Sequence, residues 1–62
     1  MTDLPRIGAP ATRALAAAGI TSLEDVAGRS SSELLALHGV GPKAIRLLSD
    51  ALEELGLDEL DA

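Results

Sequence analysis

The apolar residues of this chain recur at helical rather than strand spacing. Ala44, Ile45, Leu47, Leu48, Ala51, Leu52 and Leu55 follow one another at three- and four-residue steps, which lays them along one broad face of a helix. Nowhere do four or more residues alternate apolar and polar in the period-two manner of a strand. Pro42 suits the first turn of this helix, where its missing N–H has no intrahelical partner to lose, and Gly56 is a natural stop after Leu55. Upstream, Pro10 opens a first helix through the good helix formers Ala11 to Ala18, ended by Gly19. Thr21 or Ser22 caps a short second helix, Leu23 to Ala27, with Glu24 and Asp25 in its first turn and Gly28 after it. Ser30, Ser31 and Ser32 offer caps for a third helix, Glu33 to Leu37. The pattern predicts an all-α chain of four helices on short turns. One domain is expected over 1–57, with 58–62 an acidic tail that frays.

Composition narrows this picture. A chain of 62 residues makes one domain, and at that size only about 60% of the unfolded surface is buried, so the stability margin is thin. Hydrophobic residues are 47% of the total with no Phe, Tyr or Trp, so the core must be built from Leu, Ile, Val and Ala. The absence of Cys excludes disulfides and thiolate metal sites, and a single His leaves no transition-metal ligand set. No apolar stretch approaches the roughly 20 residues that cross a bilayer. Met1-Thr2-Asp3 lacks the basic and apolar regions of a signal peptide, so a cytoplasmic protein is expected. The chain is short for a substrate pocket and shows no convergent acid, base and nucleophile, so no enzyme and no small-molecule substrate are expected.

Charge changes the picture more. The formal net charge is −5, but residues 1–48 carry five bases against four acids, whereas 49–62 carry six acids and no base. Arg6, Arg13, Lys43 and Arg46, with His38, lie in the two stretches Leu4–Leu15 and Leu37–Leu48, which contain no acid. The long helix also inverts the usual preference of the helix dipole, placing Lys43 and Arg46 early and Glu53 and Glu54 late. Each inversion costs on the order of a few tenths of a kcal/mol. A local rule broken without structural gain is where function shows.

The chemistry concentrates at His38-Gly39-Val40-Gly41-Pro42. Gly39 and Gly41 are expected to supply positive φ and close backbone approach for a tight helix-to-helix turn, with Val40 pointing inward between them. The amides near Gly41, Lys43 and Ala44 then lack intrahelical partners and, with the positive end of the dipole, form an anion site. A repeat accompanies this. Ile7-Gly8 with Arg13 and Leu15 sits 33 residues before Val40-Gly41 with Arg46 and Leu48. Gly19-Ile20 and Gly56-Leu57 are 37 apart, so the second copy has one more helical turn. The chain reads as two related hairpins, the first without a preceding helix.

Leu37, Gly39, Val40, Gly41 and Ala44 resemble the helix-hairpin-helix family, whose pattern is aliphatic-Gly-aliphatic-Gly followed closely by a small residue; His38 is an extra residue after the leucine. The resemblance implies a compact four-helix orthogonal bundle of SAM-like type and hairpin amides on a DNA backbone phosphate. Some members hold a monovalent cation on hairpin carbonyls, the one cofactor the resemblance allows. Ile20 to Leu57 is also similar to the C-terminal domain of the bacterial RNA polymerase alpha subunit. That likeness implies DNA contacts at Gly41 and Lys43 and a larger protein or polymerase assembly as partner. The first helix departs from that domain, with Pro10 and Arg13 where it has a minor-groove arginine and an asparagine. The implied function is therefore non-sequence-specific binding of DNA through Gly39, Val40, Gly41, Lys43, Ala44 and Arg46, with Arg6, Gly8 and Arg13 on the secondary hairpin. Without aromatic residues for base stacking, double-stranded DNA is the expected partner. The alternative is a protein–protein interaction module of the same fold, marked by an exposed Leu or Ala patch larger than a core requires.

Overall fold

The computed structural model describes residues 2–61. Four helices carry the chain, α1 (Ala9–Ala17), α2 (Leu23–Val26), α3 (Ser31–Leu35) and α4 (Pro42–Leu55), and α2 and α3 both pack on α4. The described residues contain no strand; one isolated parallel bridge joins Ser30 to Asp61. α4 has the predicted bounds, and its buried residues Ala44, Leu48 and Leu52 form a straight four-residue stripe. Leu55 continues that apolar face into solvent and is 51% exposed.

The repeat seen in the sequence is visible in the packing. Ala11 and Leu15 of α1 are buried, as are Ala44 and Leu48, their counterparts 33 residues on, in one core with Ile20, Leu23, Val26, Leu34, Val40 and Leu52. Both repeat helices end in the same hydrogen-bonded device. Ile20 N–H donates to Leu15 O (2.8 Å) and Gly19 N–H to Ala16 O (3.0 Å); Leu57 N–H donates to Leu52 O (2.9 Å) and Gly56 N–H to Glu53 O (3.1 Å). These paired bonds satisfy carbonyls that a helix end leaves open, and they need a left-handed residue between. Gly19 (φ +83°) and Gly56 (φ +71°) supply it. The aliphatic residue after each glycine then turns back onto the core, Ile20 fully and Leu57 in part.

The short elements differ from the expectation at their edges. α1 begins at Ala9, ahead of Pro10, and ends at Ala17, with Ala18 in the turn. α2 stops at Val26 because Ala27 (φ −55°, ψ 132°) has left the helical region. α3 runs Ser31–Leu35 rather than Glu33–Leu37. Ser30, in extended conformation, accepts from Glu33 N–H at 3.4 Å, so the first of the three serines is the cap and the helix starts two residues early. Ser22, not Thr21, caps α2, accepting from Asp25 N–H at 3.3 Å.

The segment after Leu57 reaches the α2–α3 connection: Asp61 N–H donates to Arg29 O (2.9 Å) and Ser31 N–H to Asp61 O (2.6 Å). Leu57 and Leu60 pack against the core and give the segment apolar surface to bury, which holds it in place despite its charge. The acidic end is therefore fixed to the body through Asp61.

Candidate nucleic-acid interface

The four helices begin in two different ways. α2 and α3 close their first turns with their own serines and place acids there, Glu24 and Asp25 in one and Glu33 in the other. α1 and α4 have glycine N-caps (Gly8 and Gly41), proline in the first turn, no side-chain cap and no acid there. Their intrachain bonding starts with Thr12 N–H to Gly8 O (3.0 Å) and Ile45 N–H to Gly41 O (3.1 Å). The earlier amides, Ala9 and Ala11 in α1 and Lys43 and Ala44 in α4, have no acceptor among the described residues. Open N–H groups at the positive end of a helix dipole attract an anion.

The hairpin glycines have distinct roles. Gly39 has φ +100°, and a Cβ there would sit 2.9 Å from the Pro10 carbonyl oxygen, so both its conformation and its surroundings demand glycine. This close approach is where the two hairpins touch. Gly41 corrects the expectation that both glycines supply positive φ. Its backbone is extended (φ −111°, ψ 178°), and a Cβ would meet nothing within 4 Å. No neighbour demands glycine here; Gly41 lines a hollow, and its bare Cα leaves that space open. Val40 between them is buried, plugging the turn as expected.

Two concavities flank the Gly39–Pro10 contact. One, of about 310 Å³, is lined by Arg6, Ile7 and Gly8 of the first hairpin and by Gly39, Gly41, Lys43, Ala44 and Leu47 of the second. The second, of about 320 Å³, is formed by Pro10, Arg13, Ala14 and Ala17 with His38 and Gly39. The structure thus gathers Arg6, Gly8, Gly39, Gly41, Lys43 and Ala44 around one hollow and places Arg13 in the next. Arg46 lines neither; it is exposed on α4, three residues beyond Lys43. Sequence reasoning did not name Ile7 or Leu47 as lining residues. The repeat carried the signal for Ile7, which it aligns with Val40.

The bases divide by use. Arg29, outside both hairpins, is tied down: its Nε donates to Asp25 O (2.6 Å) and its Nη1 lies 3.7 Å from a Glu33 carboxylate oxygen. Among the described residues, Arg6, Arg13, Lys43 and Arg46 form no ion pair. The strap leading to Arg6 is itself anchored. Thr2 N–H and Oγ1–H donate to the Glu24 carboxylate (2.7 and 2.8 Å), and Leu23 N–H donates to Thr2 O (2.9 Å). The bond from the Thr2 amide, then that from its hydroxyl, pulls the Glu24 carboxyl from its ordinary 4.5 down to about 2. No group of three or more His, Cys, Asp or Glu able to hold a metal ion occurs among the described residues, and no helix is long and apolar enough to cross a membrane.

Comparison with known proteins adds one finding. Residues 1–54 match the family described as the SAM-like helix-hairpin-helix tandem, and the chain belongs to that family. No curated protein and no solved structure matches it significantly.

Proposed function

Starting from membership of the helix-hairpin-helix tandem family, we propose that this chain holds double-stranded DNA by its backbone, without sequence preference and without catalysis. Family members commonly bind DNA in this non-specific way. The observation that carries the reading is the contrast between helix starts. Of the four helices, α1 and α4 alone begin without a side-chain cap or a first-turn acid, and the bases beside them form no ion pair among the described residues. Phosphates sit on the amides of Gly41, Lys43 and Ala44, with Gly39 and the buried Val40 shaping the turn. Lys43, Arg46, Arg6 and Arg13 supply charge, and Gly8 leaves the second hairpin equally uncovered.

The finer likeness of Ile20–Leu57 to the polymerase alpha C-terminal domain leads us to give Gly41 and Lys43 the central contacts. We read the helices as the orthogonal SAM-like bundle of that domain, working in the cytoplasm and tethered to a larger protein assembly. The hairpin carbonyls are hard oxygen donors that suit a monovalent cation; no contact of the proposed grip depends on one. Tethering matters because three or four neutralised phosphates give affinity of only about 10⁻⁴ to 10⁻⁶ M and a log–log salt slope of roughly −3 to −4.

The test is a titration of ¹⁵N-labelled protein with a short duplex at low salt. Concerted, salt-reversible shifts at Gly39, Gly41, Lys43 and Ala44 are expected. The alternative, a protein-interaction module, draws on the exposed Leu35 (43%) and Leu55 (51%), the large apolar side chains left in solvent. On that reading the hairpin amides stay still at millimolar DNA.

A further inference from the structure

The two hairpins do not present separate ridges; they share one hollow. Arg6 lines it from the first hairpin and Lys43 from the second, and Gly8 and Gly41 line it with no side chain of their own. At about 310 Å³ the space equals roughly ten times a water molecule's share of liquid. That exceeds what a single phosphate group fills, and the remaining lining, half-buried Ile7 and Leu47, is apolar. A phosphate with the sugar attached to it matches this division into a cationic rim and an apolar wall.

We propose that the hollow between the hairpins, rimmed by Arg6 and Lys43, takes the terminal phosphate of a nucleic-acid end in preference to a phosphate within the strand. The inference rests on the reading of the hairpins as a phosphate grip and specifies which phosphate they prefer. An internal phosphodiester carries one charge and must enter and leave the site as chain on both sides. A terminal phosphate monoester carries about −1.5 to −2 at pH 7, has three strong acceptor oxygens and continues as chain on one side only. Two cations, one from each hairpin and neither in an ion pair among the described residues, match the second ligand in charge. The guanidinium and ammonium, together with the open amides beyond Gly41, match it in donors. The segment that carries Arg6 is anchored upstream at Thr2, which donates to Glu24.

The experiment compares short duplexes of one sequence that are 5′-phosphorylated, 3′-phosphorylated or unphosphorylated, titrated into the ¹⁵N-labelled chain and into its Arg6→Ala variant. Retained amide dispersion shows that the variant is folded. Tighter binding of one phosphorylated duplex by about fivefold or more, with that preference abolished in Arg6→Ala, is expected, and the preferred end identifies the source of the ligand. Equal affinity for all three overturns the proposal while leaving the backbone grip standing. A preference that survives in Arg6→Ala overturns the assignment to this hollow. Failure of all three duplexes to bind overturns both readings together.

Discussion

Gly39 and Gly41 are separated by one residue and look alike in the sequence, yet substitution should affect them differently. At Gly39 a methyl group meets the Pro10 carbonyl at 2.9 Å in a left-handed backbone. Gly39→Ala should therefore lower stability by about 1–3 kcal/mol, since both strain and a backbone shift are involved. For a chain of this length each kcal/mol moves the melting temperature by about 4–8 °C, readily followed by circular dichroism. Gly41→Ala should melt within about 0.5 kcal/mol of the parent, because its φ is ordinary and its surroundings are empty. Its cost should appear instead in DNA titration, where the new methyl takes up part of the hollow that Gly41 lines. A comparable drop in melting temperature for both variants would show that Gly41 has a structural role. The presence of a tight turn was legible from the two glycines; which glycine the turn needed was not. That depended on Pro10, 29 positions away in the chain, coming to rest against Gly39. The bases separate in the same way. Lys43→Ala should weaken binding to duplexes of every sequence alike and reduce the salt slope by about 1, whereas Arg29→Ala should leave the slope unchanged because its charge already faces Glu33.

Among the elements, how well the sequence foretold each helix followed its length. α4 carries four turns of consistent apolar spacing between a proline and a glycine, and its bounds were readable to the residue. α3 is five residues long, and three consecutive serines could each have capped it. Propensity alone does not choose among them. The structure selects Ser30, whose position is fixed on one side by the pairing of Arg29, Ser31 and Asp61. Ser30→Ala should cost about 0.5–2 kcal/mol, and Ser32→Ala should be close to neutral, as thermal melts of the two variants would show. The place of the tail was not legible for a related reason. Its acids suggest a solvated end, and only the long-range bridge reveals that Leu60 has a place to bury. The repeat was the more direct guide to the hollow. Copies that share a glycine start, an early proline and a Gly-aliphatic stop also share uncapped amides, and both open on one hollow.

At the scale of the whole molecule two carboxylate effects act over different ranges. Glu24 works through contact. Its carboxyl is held at about 2 against an ordinary 4.5 by Thr2, so its folded-state pKa is depressed. The stability it contributes is present above 4.5 and is lost as pH falls through about 2. Melts of the parent and of Glu24→Gln should therefore differ at neutral pH and converge toward pH 2; a constant difference would mean that the bond to Thr2 is not the cause. The six acids after Ser49 work through distance. The molecule measures 27 Å along its longest axis. The screening length is about 30 Å at 0.01 M salt and about 8 Å at 0.15 M. At the lower salt the acidic end repels DNA approaching any part of the surface, and at the higher it is nearly invisible from the opposite end. Neutralising the tail with Asp58→Asn, Glu59→Gln and Asp61→Asn, which leaves the backbone bonds of Asp61 intact, should raise DNA affinity severalfold at 0.01 M. At 0.15 M it should change affinity little. The gain would make the salt slope of the variant steeper than that of the parent, because the parent's self-repulsion is relieved by the same salt that weakens its grip. An equal gain at both salt concentrations would require carboxylates within a few ångströms of the bound phosphates, placing the tail beside the hairpins when DNA is held.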